Sequence, residues 1–497
     1  MRYRLTGGVR TLHDGERYWL TLSYPLKVIL LPEAVGPAFA KLEKIKECSL
    51  EELTAEVPGV GPLSLARFLN QIEKRGFLDA MGRPDLPLHA PRIAVIIPVR
   101  NRPDEIRECL ASLMEIEYPR DLTEIVVVDD GSDDHTHEVV KGFPVAFLRN
   151  ATRKGASWCR NLAAKTTNAE ILFFLDSDCA ADPAWVAELV PVFGDPAVGA
   201  AGGRVDSFFD SSPLDRYEQV KSSLFKGSRS TDSLLEGPSF YLPSCNLAVR
   251  RDLFLSLGGF NEELEVGEDV DLCWRITAAG RVIEYRPSAG VRHRHRTRPI
   301  AFCRRRFDYG TSEPILQQLH PKHSKTVVLP LADSAFWALL AVSWIAAQAL
   351  PAAAAFAWLV WDVFMRRRKT TGRGCPITIP EILSAVVRSR LGFLYQLGSF
   401  ISRYYLVVAA SAPFLPLAAG ITALVHIGVG TMEYFIKKPR LSILSFLLFF
   451  TLEQFSYQLG VWYGCLKDRY FRPVLPRIAF STGTTGDPSG KAIGQHD

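Results

Sequence analysis

The chain has 497 residues, 58 basic against 53 acidic side chains for a formal charge of +5, and 47% hydrophobic residues. That length exceeds one hydrophobic core and implies about three domains or segments, while so mild a charge gives no argument for a nucleic-acid partner. The nine cysteines lack C-x-x-C spacing, so they signal neither a zinc site nor a disulfide framework and read as reduced thiols of a cytosolic face.

Met1–Asp14 is polar and charged, so no cleavable signal peptide is expected. Residues 1–85 read as a small α+β unit. A turn at Asp14-Gly15 leads into a strand, Glu16-Arg-Tyr-Trp-Leu-Thr-Leu-Ser. Leu26 to Glu47 is helical in pattern, broken by Pro32 and Pro37. Ser49 and Glu52 have the spacing of a capping box. A helix from Pro62 carries a stripe of Leu65, Phe68, Leu69 and Ile72 and stops at Gly76, before a short strand from Phe77. Short strands followed by a winged-helix pattern resemble the PqqD-like peptide-recognition domains. The run from Gly82 to Pro91 holds three prolines and reads as an extended linker, assigned to 86–91.

Residues 92–325 alternate strand and helix: Ile93–Val99, then a helix from Pro103 to Glu115; Glu124–Val128, then Ser132 to Lys141; Val145–Leu148, then Ala156 to Lys165; and the Ile171 strand, then Pro183 to Phe193. Four β-α steps predict an α/β fold with a parallel sheet covered on both faces. Four polar sites fall at the carboxyl ends of these strands, where open α/β sheets hold ligands. They are Pro98-Val99-Arg100-Asn-Arg102; Asp129-Asp130-Gly-Ser-Asp-Asp; Lys154-Gly-Ala-Ser-Trp-Cys-Arg160-Asn161; and Asp176-Ser177-Asp178. On an extended strand Asp176 and Asp178 would point the same way, and two hard oxygen ligands there suit Mg²⁺ or Mn²⁺ carrying a diphosphate. Downstream lie Gly267-Glu268-Asp269-Val-Asp271 with Arg275, then Val291-Arg-His293-Arg-His295. Asp269 reads as the start of a helix, whose dipole favours its ionised form.

These residues, over about Arg92 to Arg306, resemble the family-2 glycosyltransferases of GT-A fold. The resemblance implies that Pro98, Val99 and Arg100 hold the nucleotide at the first strand end, Pro98 and Val99 through backbone contacts to uracil. It implies that Asp130, with Asp129, binds the base through carboxylate, and that Lys154 and Arg160 help to fix the nucleotide. Asp176, followed by Ser177, would take the ribose side and share the metal with Asp178, and one of His293 and His295, assigned here as His293, would be a further metal ligand. It also implies that Asp269 is the base deprotonating the acceptor and that Glu268 contacts the acceptor. One base and no positioned nucleophile imply a single, inverting displacement, so an α-linked UDP-sugar gives a β-linked product. Cys303-Arg-Arg-Arg306-Phe307 stands where processive membrane synthases carry Q-x-x-R-W; Arg306 is in register but the Gln and Trp are absent, which argues against a long-chain synthase.

Residues 326–475 hold three apolar stretches, Val327–Met365, Tyr404–Met432 and Leu441–Leu466, each long enough to cross a bilayer. The first reads as a hairpin broken at Pro351, and Glu381–Tyr405 as an amphipathic helix lying in the membrane plane. Basic flanks, including Arg366-Arg-Arg-Lys369 and Lys437-Lys-Pro-Arg440, predict a membrane protein with a cytoplasmic catalytic domain. Residues 476–497, Gly/Thr/Ser-rich from Ser481, read as a disordered tail. A PqqD-like front, a family-2 core and a membrane-associated tail together resemble the glycosyltransferases of the mycofactocin system. That resemblance implies transfer of glucose from UDP-glucose to a peptide-derived redox cofactor precursor, giving a β-linked oligosaccharide. The alternative acceptor is a polyprenyl phosphate or a surface polysaccharide.

Overall fold

Ile93-Ala-Val-Ile-Ile-Pro-Val99 is apolar throughout, and it forms a central strand, β1, with every residue buried. Its alternate side chains enter two separate cores: Ile93, Val95, Ile97 and Val99 one, Ala94 and Ile96 the other. A strand buried on both faces needs helices on both. In the computed structural model, which describes residues 1–15, 17–23, 26–82, 90–372 and 377–481, helix α1 (Pro103–Met114) covers the first face with Ile106, Cys109, Leu110 and Leu113. Helices α2 (Ala156–Thr166) and α3 (Glu268–Ala278) cover the second with Cys159, Ala163, Ala164, Leu272, Cys273 and Ile276.

The remaining strands of this sheet are β2 (Thr123–Asp129), β3 (Ala146–Arg149), β4 (Ile171–Phe174), β5 (Cys179–Ala181), β6 (Val198–Ser207), β7 (Thr231–Asp232), β8 (Leu247–Arg250) and β9 (Val282–His293). Their order is β5-β9-β6-β8-β4-β1-β2-β3, with β7 also on β9. β1 to β4 are parallel as expected, but β8 runs antiparallel between β4 and β6. The sheet is therefore mixed rather than parallel, a GT-A-type sheet.

Two helices of this region are shorter than predicted. Asp129 accepts hydrogen bonds from Ser132 N and Oγ, and Asp134 caps Thr136, so the helix begins at Thr136, not Ser132. The Pro183–Phe193 segment is α-helical over Trp185–Leu189 and 3₁₀ over Val190–Gly194, since Pro191 has no N–H to continue the ladder.

The chain divides into two units, neither continuous in sequence: residues 83–325 with 399–475, and residues 1–82 with 326–398 and the strand after 476. In the unit holding the sheet, helix α4 (Pro299–Leu319) lies against α5 (Ile443–Asp468). Their backbones meet at glycines: a Cβ on Gly310 would stand 2.2 Å from Tyr457 O, and one on Gly460 2.0 Å from Phe307 O. Arg306 of α4, 4% exposed, donates to both carboxylate oxygens of Glu218 at 2.8 and 3.1 Å and lies 3.9 Å from Glu453 of α5. The helix Pro416–Lys437 turns Thr422, His426 and Glu433 inward and exposes Leu417, Ile421, Leu424 and Phe435. That is inverted amphipathicity, the pattern of a helix whose surroundings are apolar.

In the other unit, Leu26–Leu31 is a strand, which corrects the helical reading of Leu26–Glu47; the helix starts only at Gly36. The run holds Val28 and Ile29 and is closed by Pro32, so it completes a meander with Val9–His13 and Tyr18–Ser23. Period-two alternation gives the meander two apolar faces. Leu20 and Leu22 pack on Phe39, Leu65 and Leu69, and Trp19 packs with Val363, Ile382 and Val386 of the helices Ala349–Thr371 and Ile379–Tyr405. The Ser49–Glu52 capping box and the helix Pro62–Lys74 form as expected. Within the segment read as a tail, Arg477–Ser481 is instead a strand paired in parallel with Thr326–Pro330; residues 482–497, like most of the linker at 83–89 and Glu16 at the head of its strand, lie outside the described residues.

The first apolar stretch folds as two helices, Leu331–Ala346 and Ala349–Thr371, which turn at Ala347 (φ +51°) and Gln348, not at Pro351. Pro351 sits in the first turn of the second helix, where its missing N–H costs nothing. Among the described residues, Ala349–Thr371 and Pro416–Lys437 are long and apolar enough to cross a membrane by length and composition.

Candidate active site

The D-x-D segment is not extended. Leu175 N still bonds Ile96 O of β1, but Cys179 N bonds Asp176 O at 3.0 Å, so a tight turn separates β4 from β5. The turn divides the pair. Asp176 Oδ1 accepts from Arg160 at 2.5 Å; Asp178 Oδ2 lies 2.6 Å from Arg102, and its Oδ1 lies 3.6 Å from His293 Nε2. Burial opposes the charge on Asp178, yet His293 and Arg102 hold its carboxyl below the usual range.

Arg160, 2% exposed on α2, bridges two acidic sites that are distant in sequence: Asp176 through one guanidinium nitrogen and Glu268 Oε1, at 3.1 Å, through the other. Burial disfavours its charge, but Asp176 and Glu268 more than compensate. Glu268 and Asp269 open α3 after Gly267, which adopts φ +85° and whose Cβ would meet Leu316. Asp269 accepts from Val270 N at 2.8 Å and from Ser244 N at 3.3 Å; Ser244 Oγ donates to Glu268. The helix terminus does not dominate here. Burial, and next the charge of Glu268, push the Asp269 carboxyl up to about 7, the reverse of the expected direction.

At the end of β2 the two carboxylates organise backbone. Asp129 is fully buried, holds Ser132 and lies 3.2 Å from Arg149. Asp130 accepts from Asn150 Nδ2 (2.9 Å), Lys154 N (2.7 Å) and Gly155 N (2.8 Å), and these bonds, against the cost of burial, keep it ionised below the ordinary carboxylate range. Lys154 reaches this network through its backbone, its side chain being exposed. Pro98 and Val99 are buried at the end of β1, with Val99 O accepting from Asp130 N.

Arg100 is exposed, and the arginine of the Pro98–Arg102 run that meets Asp178 is Arg102, to which the sequence assigns no role of its own. Asn101 takes φ +50°, a conformation Asn tolerates, and turns the chain so that Arg102 reaches the D-x-D and donates to Ser177 Oγ at 3.5 Å. The usable signal was Pro103: it fixes the first helical residue, leaving Arg102 as the cap at the strand-to-helix turn. Ser244 belongs to the downstream run Pro243-Ser-Cys-Asn, to which the sequence assigns no single role. Asn161 is structural: it donates to Phe260 O and accepts from Phe260 N, pinning the Gly258-Gly259 turn to α2.

Asp178, Cys179 and His293 offer ligand atoms within 4.8 Å of one another. Burial raises the Cys179 thiol well above its usual range, so it stays protonated and is a poor ligand. Asp178 Oδ1 and His293 Nδ1 are buried without a hydrogen-bond partner. Carboxylate and imidazole together fit a divalent cation such as Mn²⁺. The His295 ring lies 4.9 Å from that of His293, tilted by 52°, and burial, then His293 and Arg306, push it down to about 3, so it is neutral.

Residues 94–258 match the model of glycosyl transferase family 2. Over 411 residues the chain is 30% identical to the pre-mycofactocin glycosyltransferase of Mycobacterium tuberculosis (strain H37Rv), covering 80% of this chain and 84% of that protein. It is also 30% identical over 197 residues to the glycosyltransferase AglE of Haloferax volcanii, covering 38% of this chain and 62% of that protein. Among solved structures, the mannosyltransferase PcManGT from Pyrobaculum calidifontis, in complex with GDP-Man and Mn²⁺, aligns at TM-score 0.47 and 18% identity over 81% of this chain and 94% of that one.

Proposed function

Because the chain belongs to the family of the pre-mycofactocin glycosyltransferases, within glycosyl transferase family 2, we propose that it transfers glucose from UDP-glucose to a peptide-derived redox cofactor precursor by single displacement, giving a β-linked short glucan. The observation that carries the mechanism is the pairing of Asp176 with the Glu268-Asp269 helix start through buried Arg160. It links the donor-side Asp176 to the helix start whose Asp269 titrates near neutrality, which suits a general base. Asp269 takes the proton of the acceptor hydroxyl as that oxygen attacks the anomeric carbon; Glu268, held by Arg160 and Ser244, orients the acceptor. Pro98, Val99, Asp129 and Asp130 shape the nucleotide side, where Asp130 fixes the Lys154-Gly155 loop.

Asp178 and His293 would hold Mg²⁺ or Mn²⁺, which would supply Lewis-acid stabilisation of the leaving diphosphate; Asp176, proposed as a further ligand, is engaged by Arg160. Arg102 neutralises the second oxygen of Asp178. The N-terminal unit is read as a peptide-recognition module, and the enzyme as membrane-associated with its catalytic domain in the cytoplasm; the outward apolar face of Pro416–Lys437 supports the membrane association. The test is incubation of the full chain with UDP-glucose, Mn²⁺ and the cofactor precursor, read by mass spectrometry. Stepwise hexose addition, lost on chelation and regained with Mn²⁺ or Mg²⁺, is expected. Transfer to a polyprenyl phosphate but not to the precursor would overturn the acceptor, and full activity in chelator would overturn the metal.

A further inference from the structure

Residues 334–361 contain no charged side chain, bounded by Asp333 and Asp362. As one straight helix these 28 residues would reach about 42 Å, more than the roughly 30 Å hydrocarbon core of a bilayer. They do not form one helix. They fold back at Ala347-Gln348, and each arm from the turn to its aspartate is only about 21 Å long, at about 1.5 Å per residue.

The two ends of the hairpin differ in chemistry. At the turn and along the arms, Trp344, Ile345, Leu350, Phe356 and Trp361 are all exposed, Trp344 to 85%. The one sharp break in the backbone is closed locally, with Ser343 Oγ donating to Gln348 O and Gln348 N to Ser343 O. At the base the charges are fixed. Asp362 accepts from Arg366 at 2.8 Å and from Arg390 at 3.2 Å, Asp333 shares the field of Arg390, and Arg390 is 2% exposed under Phe336. One to two turns beyond, Arg368 and Lys369 are exposed.

We propose that the hairpin Leu331–Thr371 is a re-entrant membrane anchor that enters a bilayer from one side, stops beyond its midplane and returns. Its uncharged arms are too deep for a surface helix, at about 21 Å against a leaflet of about 15 Å, and too short to cross, since Asp362 interrupts the apolar part of the second helix. Its occupant is a lipid bilayer with anionic headgroups. Trp and Phe fill the hydrocarbon, the Asp333/Asp362/Arg366/Arg390 cluster marks where apolar solvent ends, and Arg368 and Lys369 meet headgroup charge. The inference deepens the membrane location proposed above and rests on it.

Two single substitutions in the full chain, Ala349→Cys at the tip and Lys369→Cys at the base, test it with a membrane-impermeant maleimide, read against the unsubstituted protein. Both sites are exposed, so neither change disturbs packing. Lys369→Cys is expected to label in inverted membrane vesicles and not in intact cells; Ala349→Cys is expected to label in neither until detergent is added. Labelling of Ala349→Cys in intact cells would show a crossing and overturn the anchor. Labelling of Ala349→Cys in inverted vesicles as fast as Lys369→Cys would show a hairpin outside the lipid and overturn it too. Recovery of the protein in the soluble fraction would instead overturn the membrane location itself.

Discussion

Asp269 sits between opposed influences. The backbone N–H groups of Val270 and Ser244 favour its charge, while burial and the adjacent Glu268 oppose it and prevail, leaving it near 7. A base must be ionised to work, so kcat/KM rises with pH through about 7 and levels above it. A pH–rate profile flat from 5 to 8 would remove Asp269 from the role. Asp269→Asn keeps the shape and removes the base; a loss of about 10²- to 10⁴-fold in kcat is expected, with donor binding by calorimetry unchanged. The sign for stability is opposite to that for activity. The folded state holds the Asp269 proton more tightly than the unfolded chain, whose carboxyl titrates at its usual value of 3.8. Stability from this group is thus fully present below that value and is lost as pH rises towards about 7. Arg160 makes a second residue-scale prediction. Arg160→Ala leaves Asp176 and Glu268 facing each other without compensation, and breaking a buried pair by removing one partner costs roughly 3–5 kcal/mol. The melting temperature should fall along with donor affinity; activity lost at an unchanged melting temperature would make Arg160 a substrate ligand only.

At the scale of elements, helix packing is set by absent side chains. Gly460 of α5 rests on Phe307 O, and Gly464 faces Thr311 O, so the helices α4 and α5 touch along backbone. Gly460→Val must push them apart; overpacking of this kind costs about 1–3 kcal/mol, and a lower melting temperature in detergent is expected, with Ala intermediate between Gly and Val. A melting temperature unchanged by Val would mean the helices do not pack this closely. The sequence shows such features unevenly. The strands Ile93–Val99 and Ile171–Phe174 were legible because a run buried on both faces is continuous and apolar, and the Ser49–Glu52 cap because it is local. Leu26–Leu31 was not, since a six-residue apolar run fits either period until its partner strand is known. Nor was the antiparallel β8: direction in a sheet depends on pairing between residues far apart in sequence, Ile171 with Arg250, which no local pattern encodes. In the site, Asp178 stood out by its place in the D-x-D at a strand end, whereas the roles of Asp269 and His293 came only from the family resemblance. Arg102 lay in the first strand-end run without a role of its own, because its reach depends on the left-handed turn at Asn101, and the pKa of Asp269 was not legible, because burial is a property of the fold.

The whole molecule is assembled from pieces that are not neighbours in sequence. Read along the chain, 92–325 is a self-contained catalytic domain; by compactness that domain also takes residues 399–475. The added segment supplies polar partners as well as apolar cover. Tyr217 donates to Glu453, Arg306 lies within 3.9 Å of the same carboxylate, and Glu313 accepts from Lys325 at 2.5 Å, Tyr404 at 3.0 Å and Tyr457 at 2.7 Å. A fragment of residues 90–325 therefore keeps the D-x-D and the Asp269 helix, yet leaves the Tyr217 hydroxyl and the outer face of α4 without partners. A buried polar group deprived of its bond costs about 1–3 kcal/mol, and several are lost together here with the apolar face of α4, on the scale of a whole domain's stability. The fragment is expected to aggregate or to melt well below the full chain, and co-expression of residues 399–475 to restore solubility and donor binding. Equal melting of the fragment and the full chain would mean that the sequential boundary is the physical one, and that α5 is cover for the catalytic unit rather than part of its core.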